Sequence, residues 1–356
     1  MELRNHRDSL ADGASHALHR PRPHVAYGKD PGDAGTSSPP SRHSPNESWR
    51  TPRGSTSSRP AGSRCAPLAS TCTVSRHFQA RPRSRASPPS SSLSSMLQLG
   101  FDHLIRGMVM LARALWLLGR ADEAIGVASR AARDAAELGQ STTVAISLLG
   151  RASVSLWTGD WDVAQSLNEQ VINHSVKHSL GTYYWVGLGF KGRLAVARKD
   201  PTGVELLSRA VDALHAERYE ILYTFFETAT AEGLALIGRF ADALKTIDDA
   251  VATTTVRNGS SFDMAEMLRL KGDLIATTSG PSDSEAERCL LGSLDCARQQ
   301  KAIAWELRTT MSLARLLAAQ GRGSEGRERL SAVCRQFTQG LGTKDLVAAK
   351  KLLSEL

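Results

Sequence analysis

The feature that most constrains this chain is a recurrence of about forty residues. Gly119-Arg-Ala-Asp-Glu-Ala124, Gly159-Asp-Trp-Asp-Val-Ala164, Lys199-Asp-Pro-Thr-Gly-Val204, Gly238-Arg-Phe-Ala-Asp-Ala243 and Gly321-Arg-Gly-Ser-Glu-Gly326 share one pattern, and a degenerate member ends at Ala286. The sixth positions fall at 124, 164, 204, 243, 286 and 326, in steps of 40, 40, 39, 43 and 40. A period this constant marks stacked supersecondary units, each able to bury its apolar stripe only against a neighbour.

Within a unit the apolar residues recur at three and four, as along Leu104, Met108, Leu111, Leu115 and Leu118, which is helical periodicity. The glycine ends a first helix, because it accepts the left-handed conformation of a C-terminal cap, and a short turn leads into a second helix. Small residues stand where the two helices cross: Ala152, Gly192, Ala231, Gly272 and Ala314 on the first, Ala124, Ala164, Ala243 and Ala286 on the second. Further along the second helix Ala131, Val171, Val211 and Ala250 fall one turn after residues that face the next pair. The expected fold is all-α: a right-handed superhelix of about six antiparallel helix pairs plus a C-terminal capping helix, over residues 96–356.

This pattern resembles the tetratricopeptide repeat (TPR), with a small residue midway in the first helix, glycine before the turn and alanine opening the second helix. The resemblance covers residues 97 to about 340, with a period near forty instead of thirty-four and without the usual closing proline in most units. The last stretch, through Glu285-Ala-Glu-Arg-Cys-Leu290, Trp305-Glu-Leu-Arg308, Ser312-Leu-Ala-Arg-Leu316, Phe337-Thr-Gln-Gly340 and Asp345 to Leu353, is similar to the C-terminal end of large bacterial signalling proteins. Those proteins join a nucleotide-cyclase or winged-helix domain to an ATPase and a helical-repeat tail. The resemblance implies a regulatory tail detached from its output domains. The sequence departs from that family in having no Gly-x-x-x-x-Gly-Lys-Ser/Thr loop to cradle nucleotide phosphates, so no output activity carries over.

Composition divides the chain at about residue 95. Residues 1–95 hold 12 of the 14 prolines, 20 serines, and 14 Arg and Lys against 6 Asp and Glu, whereas residues 96–356 hold 30 of each sign. The net charge of +8 therefore resides in the first segment, and the body has no general attraction for nucleic acid or anionic lipid. Residues 1–95 contain too few apolar side chains to offset the entropy of ordering. They are expected to be a disordered leader, read first as dispensable with initiation at Met96, then as a genuine tail, and last as a targeting or nucleic-acid-contacting segment. Five cysteines without a Cys-x-x-Cys spacing fit a reducing cytoplasm. The longest apolar stretch, 107–119, has 13 residues and carries Arg113, short of the roughly 20 a membrane-spanning helix needs.

Several apparent motifs have structural readings. Gly187-Leu-Gly-Phe-Lys-Gly192 matches a dinucleotide fingerprint after a strand-like Thr182–Val186, yet Gly192 occupies a crossing position, so close helix packing is expected. His174 and His178 share a helical face but lack a third ligand. No catalytic residue, metal site or cofactor is assigned.

The expected function is a non-catalytic helical-repeat interaction or signal-sensing module of the bacterial cytoplasm, taking a protein or peptide partner, or a small signal molecule, in its concave groove. The alternative is a nucleic-acid-associated regulator acting through the basic leader. No membrane is involved. The residue after each small crossing position should point into the groove, which selects Arg113, Ser153, Arg193, Glu232, Asp273 and Arg315, with Trp116 one turn beyond Arg113 as an apolar anchor.

Overall fold

Helical periodicity is realised along the whole repeat region. The computed structural model describes residues 100–256 and 262–356, all within one compact unit, Arg81–Leu356. Thirteen α-helices and no strand occur among the described residues. They are α1 (His103–Leu117), α2 (Ala121–Leu138), α3 (Ser141–Thr158), α4 (Trp161–Lys177), α5 (Gly181–Ala197), α6 (Gly203–Ala216), α7 (Tyr223–Leu236), α8 (Phe240–Val256), α9 (Met264–Ser279), α10 (Ser284–Gln299), α11 (Ile303–Ala319), α12 (Gly323–Cys334) and α13 (Lys344–Glu355). The expected leader, with Cys65 and Cys72, lies outside the described residues. None of the described helices is long and apolar enough to cross a membrane.

Six antiparallel pairs, α1/α2 to α11/α12, stack as a TPR-like right-handed superhelix, and α13 closes it. Odd-numbered helices pack on one another along the stack and form its inner wall; each even-numbered helix packs on the helices before and after it. The first helix of a pair ends at Gly119, Gly159, Gly238 or Gly321, at φ 74°, 88°, 77° and 80°. Lys199 holds that place in the third pair at φ 66°. The crossing alanines Ala124, Ala152, Ala164, Ala231, Ala243, Ala286 and Ala314 are all buried.

The third crossing corrects the sequence register by one residue. Its small residue on α6 is Gly203, not Val204, since a β-carbon on Gly203 would stand 2.5 Å from the Gly192 carbonyl oxygen. Ala210, fully buried, likewise takes the place expected for Val211. Its two crossing residues are 11 positions apart, one fewer than in four of the other pairs, and Asp200 Oδ1 accepts hydrogen bonds from the Thr202 N–H (2.9 Å) and hydroxyl (2.7 Å), which tightens the chain around Pro201.

The fingerprint-like segment lies inside α5, and Thr182–Val186 is helical instead of strand-like. Positions for β-carbons on Gly187, Gly189 and Gly192 are taken by Ile172, Phe226 and Leu207. These glycines let α5 approach its neighbours closely, as the crossing position requires.

The superhelix also meets its own beginning. The C-terminal ends of α1 and α3 touch the N-terminal ends of α11 and α13. Trp116 stacks on Trp157 (centroids 4.9 Å apart, planes at 27°) and stands edge-on to Trp305 (4.8 Å, 81°). Phe262, just before α9, packs on both Trp157 and Trp305, and its carbonyl accepts from Trp305 Nε1 at 3.0 Å. The 335–343 connection fastens the seam: Phe337 packs against Gly119, Gln339 donates to Glu123, and the Gly340 N–H donates to Asp122. Rings of this size dominate the energetics of a buried contact, so an aromatic hub fills the centre of the stack.

Candidate functional site

The inner wall is built by one face of the odd-numbered helices. The residue one after the crossing position and the residue six before it share that face, two turns apart. On α9 these are Asp273 and Glu266, with Arg269 between them; on α11 they are Arg315 and Arg308. Arg269 clamps Glu266 (2.7 and 2.9 Å) and Asp273 (2.6 Å), and Ser312 on α11 donates to the same Asp273 oxygen at 3.0 Å. Arg308 reaches Asp345 at 2.6 Å, Glu266 at 3.5 Å and the Trp157 carbonyl at 3.3 Å, and lies over the rings of Trp116 and Trp305. Ionic pairing thus continues from the third pair to α13, because Arg193 on α5 stands 3.1 Å from Glu232 on α7.

Burial sets the protonation of this face. Burial raises Glu266, but Arg269 and Arg308 outweigh it and hold the carboxyl down at about 2. At Asp263 burial prevails and pushes the carboxyl up to about 7, against the opposing pull of Arg113 and the Thr224 hydrogen bond. Burial also lowers Arg113 and raises Asp273, the latter against Arg269 and Ser312.

The seven candidates divide into two groups. Arg193, Glu232, Asp273 and Arg315 lie on the inner wall of successive helices, the first three half-buried and Arg315 exposed. Arg113 and Trp116 belong to the hub instead. The Arg113 guanidinium lies 4.4 Å from the Phe262 ring centre and 5.4 Å from that of Trp157. Trp116 is 4% exposed, so it anchors the fold's own closure and presents no free surface. Ser153 is buried and its hydroxyl donates to the Leu149 carbonyl at 2.8 Å. The sequence reading missed Phe262, Asp263, Glu266, Arg269, Arg308 and Asp345; extending its rule backwards by seven residues would have found Glu266 and Arg308.

Other features have local partners. The His174 and His178 rings are 4.3 Å apart, and both contact Ser141. No group of three His, Cys, Asp or Glu among the described residues could hold a metal ion. A groove of about 410 Å³ between α10, α11 and α12 is lined by the ion pairs Arg298–Glu306 and Arg329–Glu325.

No protein-family model matches the chain, and no curated protein matches it. Among solved structures it is similar to the apo form of RapI, with a TM-score of 0.49 and 10% identity over 74% of this chain and 89% of that one. It is similar also to a Rap protein complexed with competence and sporulation factor, with a TM-score of 0.47 and 11% identity over 70% of this chain and 73% of that one. A third is a putative kinesin light chain of Podosopora anserina with TPR-like repeats, with a TM-score of 0.34 and 18% identity over 65% of this chain and 93% of that one.

Proposed function

We propose that the chain is a non-catalytic helical-repeat interaction module that takes a peptide or protein segment along its inner wall, and that it serves as the regulatory tail of a bacterial cyclase, ATPase or transcriptional regulator. The observation that carries this reading is Arg193. Its buried Nη1 is ion-paired with Glu232 Oε2 at 3.1 Å yet lacks the alignment of a hydrogen bond, which leaves an N–H of the guanidinium available on the inner wall. A buried donor without an acceptor is costly, and a carboxylate or carbonyl of a bound segment would relieve that cost. Farther along, exposed Arg315 offers a second cation and half-exposed Asp273 an anion, so a segment with mixed charges fits better than a uniformly charged one. A small signal molecule bearing a carboxylate is the lesser version of the same recognition.

The test uses peptides selected on the full chain from a random display library. Arg193→Glu with Arg315→Glu should weaken the selected peptides at least about tenfold with full helical content retained, while loss of the Arg193–Glu232 pair lowers the melting temperature. Undiminished binding would remove the site from the inner wall. The basic leader supports a second reading, contact with nucleic acid, which steep loss of binding with rising salt would reveal.

A further inference from the structure

Helix α1 carries an uncharged outward face whose small positions are covered in every other pair. Leu104, Leu111 and Leu118 are 57%, 50% and 42% exposed, and Gly107 and Ala114 between them are exposed as well. In the other five pairs the residue equivalent to Gly107 is Ser147, Gly187, Phe226, Met267 or Thr309, all buried. The place of Ala114 is buried in them all too, from Val154 in α3 to Leu316 in α11. There the preceding pair's second helix supplies the cover. At the opposite end α13 turns Lys344, Val347, Lys350, Lys351 and Ser354 outward, the polar cap a solenoid end needs for solubility. Among the described residues the stack is capped at one end only.

We propose that the α1 face docks a second copy of this chain, α1 against α1, around a two-fold axis at Leu111. The pattern is self-complementary. That axis sets Leu104 opposite Leu118 of the second copy and brings Gly107 within one residue of Ala114, so leucine knobs meet and the small residues between them let the helices approach closely. A glycine inside an exposed helix weakens it, and a β-carbon on Gly107 would meet nothing within 4 Å in the single chain, so its smallness serves no contact there. Upstream, residues 81–95 hold seven serines, three prolines and one leucine, and the apolar Met96, Leu97 and Leu99 that follow are too few for a covering helix. End-to-end growth is blocked by the polar face of α13, so the assembly stops at two copies.

One helix face buries less than the roughly 800 Å² per partner of a standard interface, so association in the micromolar range is expected. Sedimentation velocity of the full chain from about 1 to 100 μM reads it directly. The wild type should shift from monomer to dimer, Leu111→Glu should weaken the dimer at least about tenfold with unchanged helical content, and Val347→Glu on α13 should leave it intact. Leu111→Cys should form a disulfide-linked dimer under mild oxidation that the wild type does not. A wild type that stays monomeric throughout, or a dimer indifferent to Leu111→Glu, would overturn the proposal; a dimer lost with Val347→Glu would place the contact at the other end.

Discussion

Trp116 on the first helix meets Trp305 on the eleventh edge to face, 4.8 Å between ring centres, and this pair joins the beginning of the superhelix to its end. Trp305 is 2% exposed and its indole N–H is satisfied by the Phe262 carbonyl. Trp305→Ala should therefore cost about 3–5 kcal/mol, the usual range for an aromatic truncated in a core. Because it also opens the seam, it should broaden the urea transition, whereas a core truncation away from the seam should shift the midpoint and keep the slope. A loss under about 1 kcal/mol would mean that the seam contributes little.

The crossing geometry makes two glycines respond in opposite directions. Gly203→Ala places a β-carbon against the Gly192 carbonyl oxygen, a backbone atom that moves only with its helix, and should destabilise by about 1–3 kcal/mol. Gly126→Ala lies on the exposed face of α2 with nothing within 4 Å and should stabilise by about 0.5–1 kcal/mol. Thermal melts of the two variants check the register, and equal shifts would contradict it.

The acid side of the pH profile should contain two opposed contributions. Asp263 titrates near 7 in the folded chain against an ordinary 3.8, so the folded state binds its proton more tightly. The resulting stability is fully present below about pH 3.8 and is lost as pH rises to about 7. Glu266 goes the other way, its folded value near 2 lying below the ordinary 4.5; its contribution is present above 4.5 and lost as pH falls toward 2. Asp263→Asn should remove a decline on the order of 3 kcal/mol between pH 4 and 7, seen as a flatter series of urea midpoints. Parallel profiles for the variant and the wild type would refute the assignment.

The pairing of helices was legible because it is local. Glycine at the turn and alanine at the crossing lie within a few residues of each other and recur, so spacing alone locates them. The third unit misled by one residue because Lys199 replaces the expected turn glycine and the Asp200–Thr202 hydrogen bonds tighten the chain before Gly203. The seam had no such signal. Trp116 and Trp305 are 189 positions apart, and a tryptophan on a repeat helix reads the same whether it faces a groove or the far end of its own superhelix. For that reason Trp116 was expected as a free anchor and Arg113 as a groove cation, and substituting Arg113 carries a stability cost that exposed Arg315 avoids.

The central claim is that the inner wall, and not the outer helices or the α1 face, receives the partner. Amide hydrogen exchange of the full chain, with and without a selected peptide, tests it most directly. The account predicts added protection in α5, α7, α9 and α11, including the turns around Arg193, Glu232, Asp273 and Arg315, and its loss in the Arg193→Glu, Arg315→Glu variant. Protection confined to the even-numbered helices, or to α1, would contradict it.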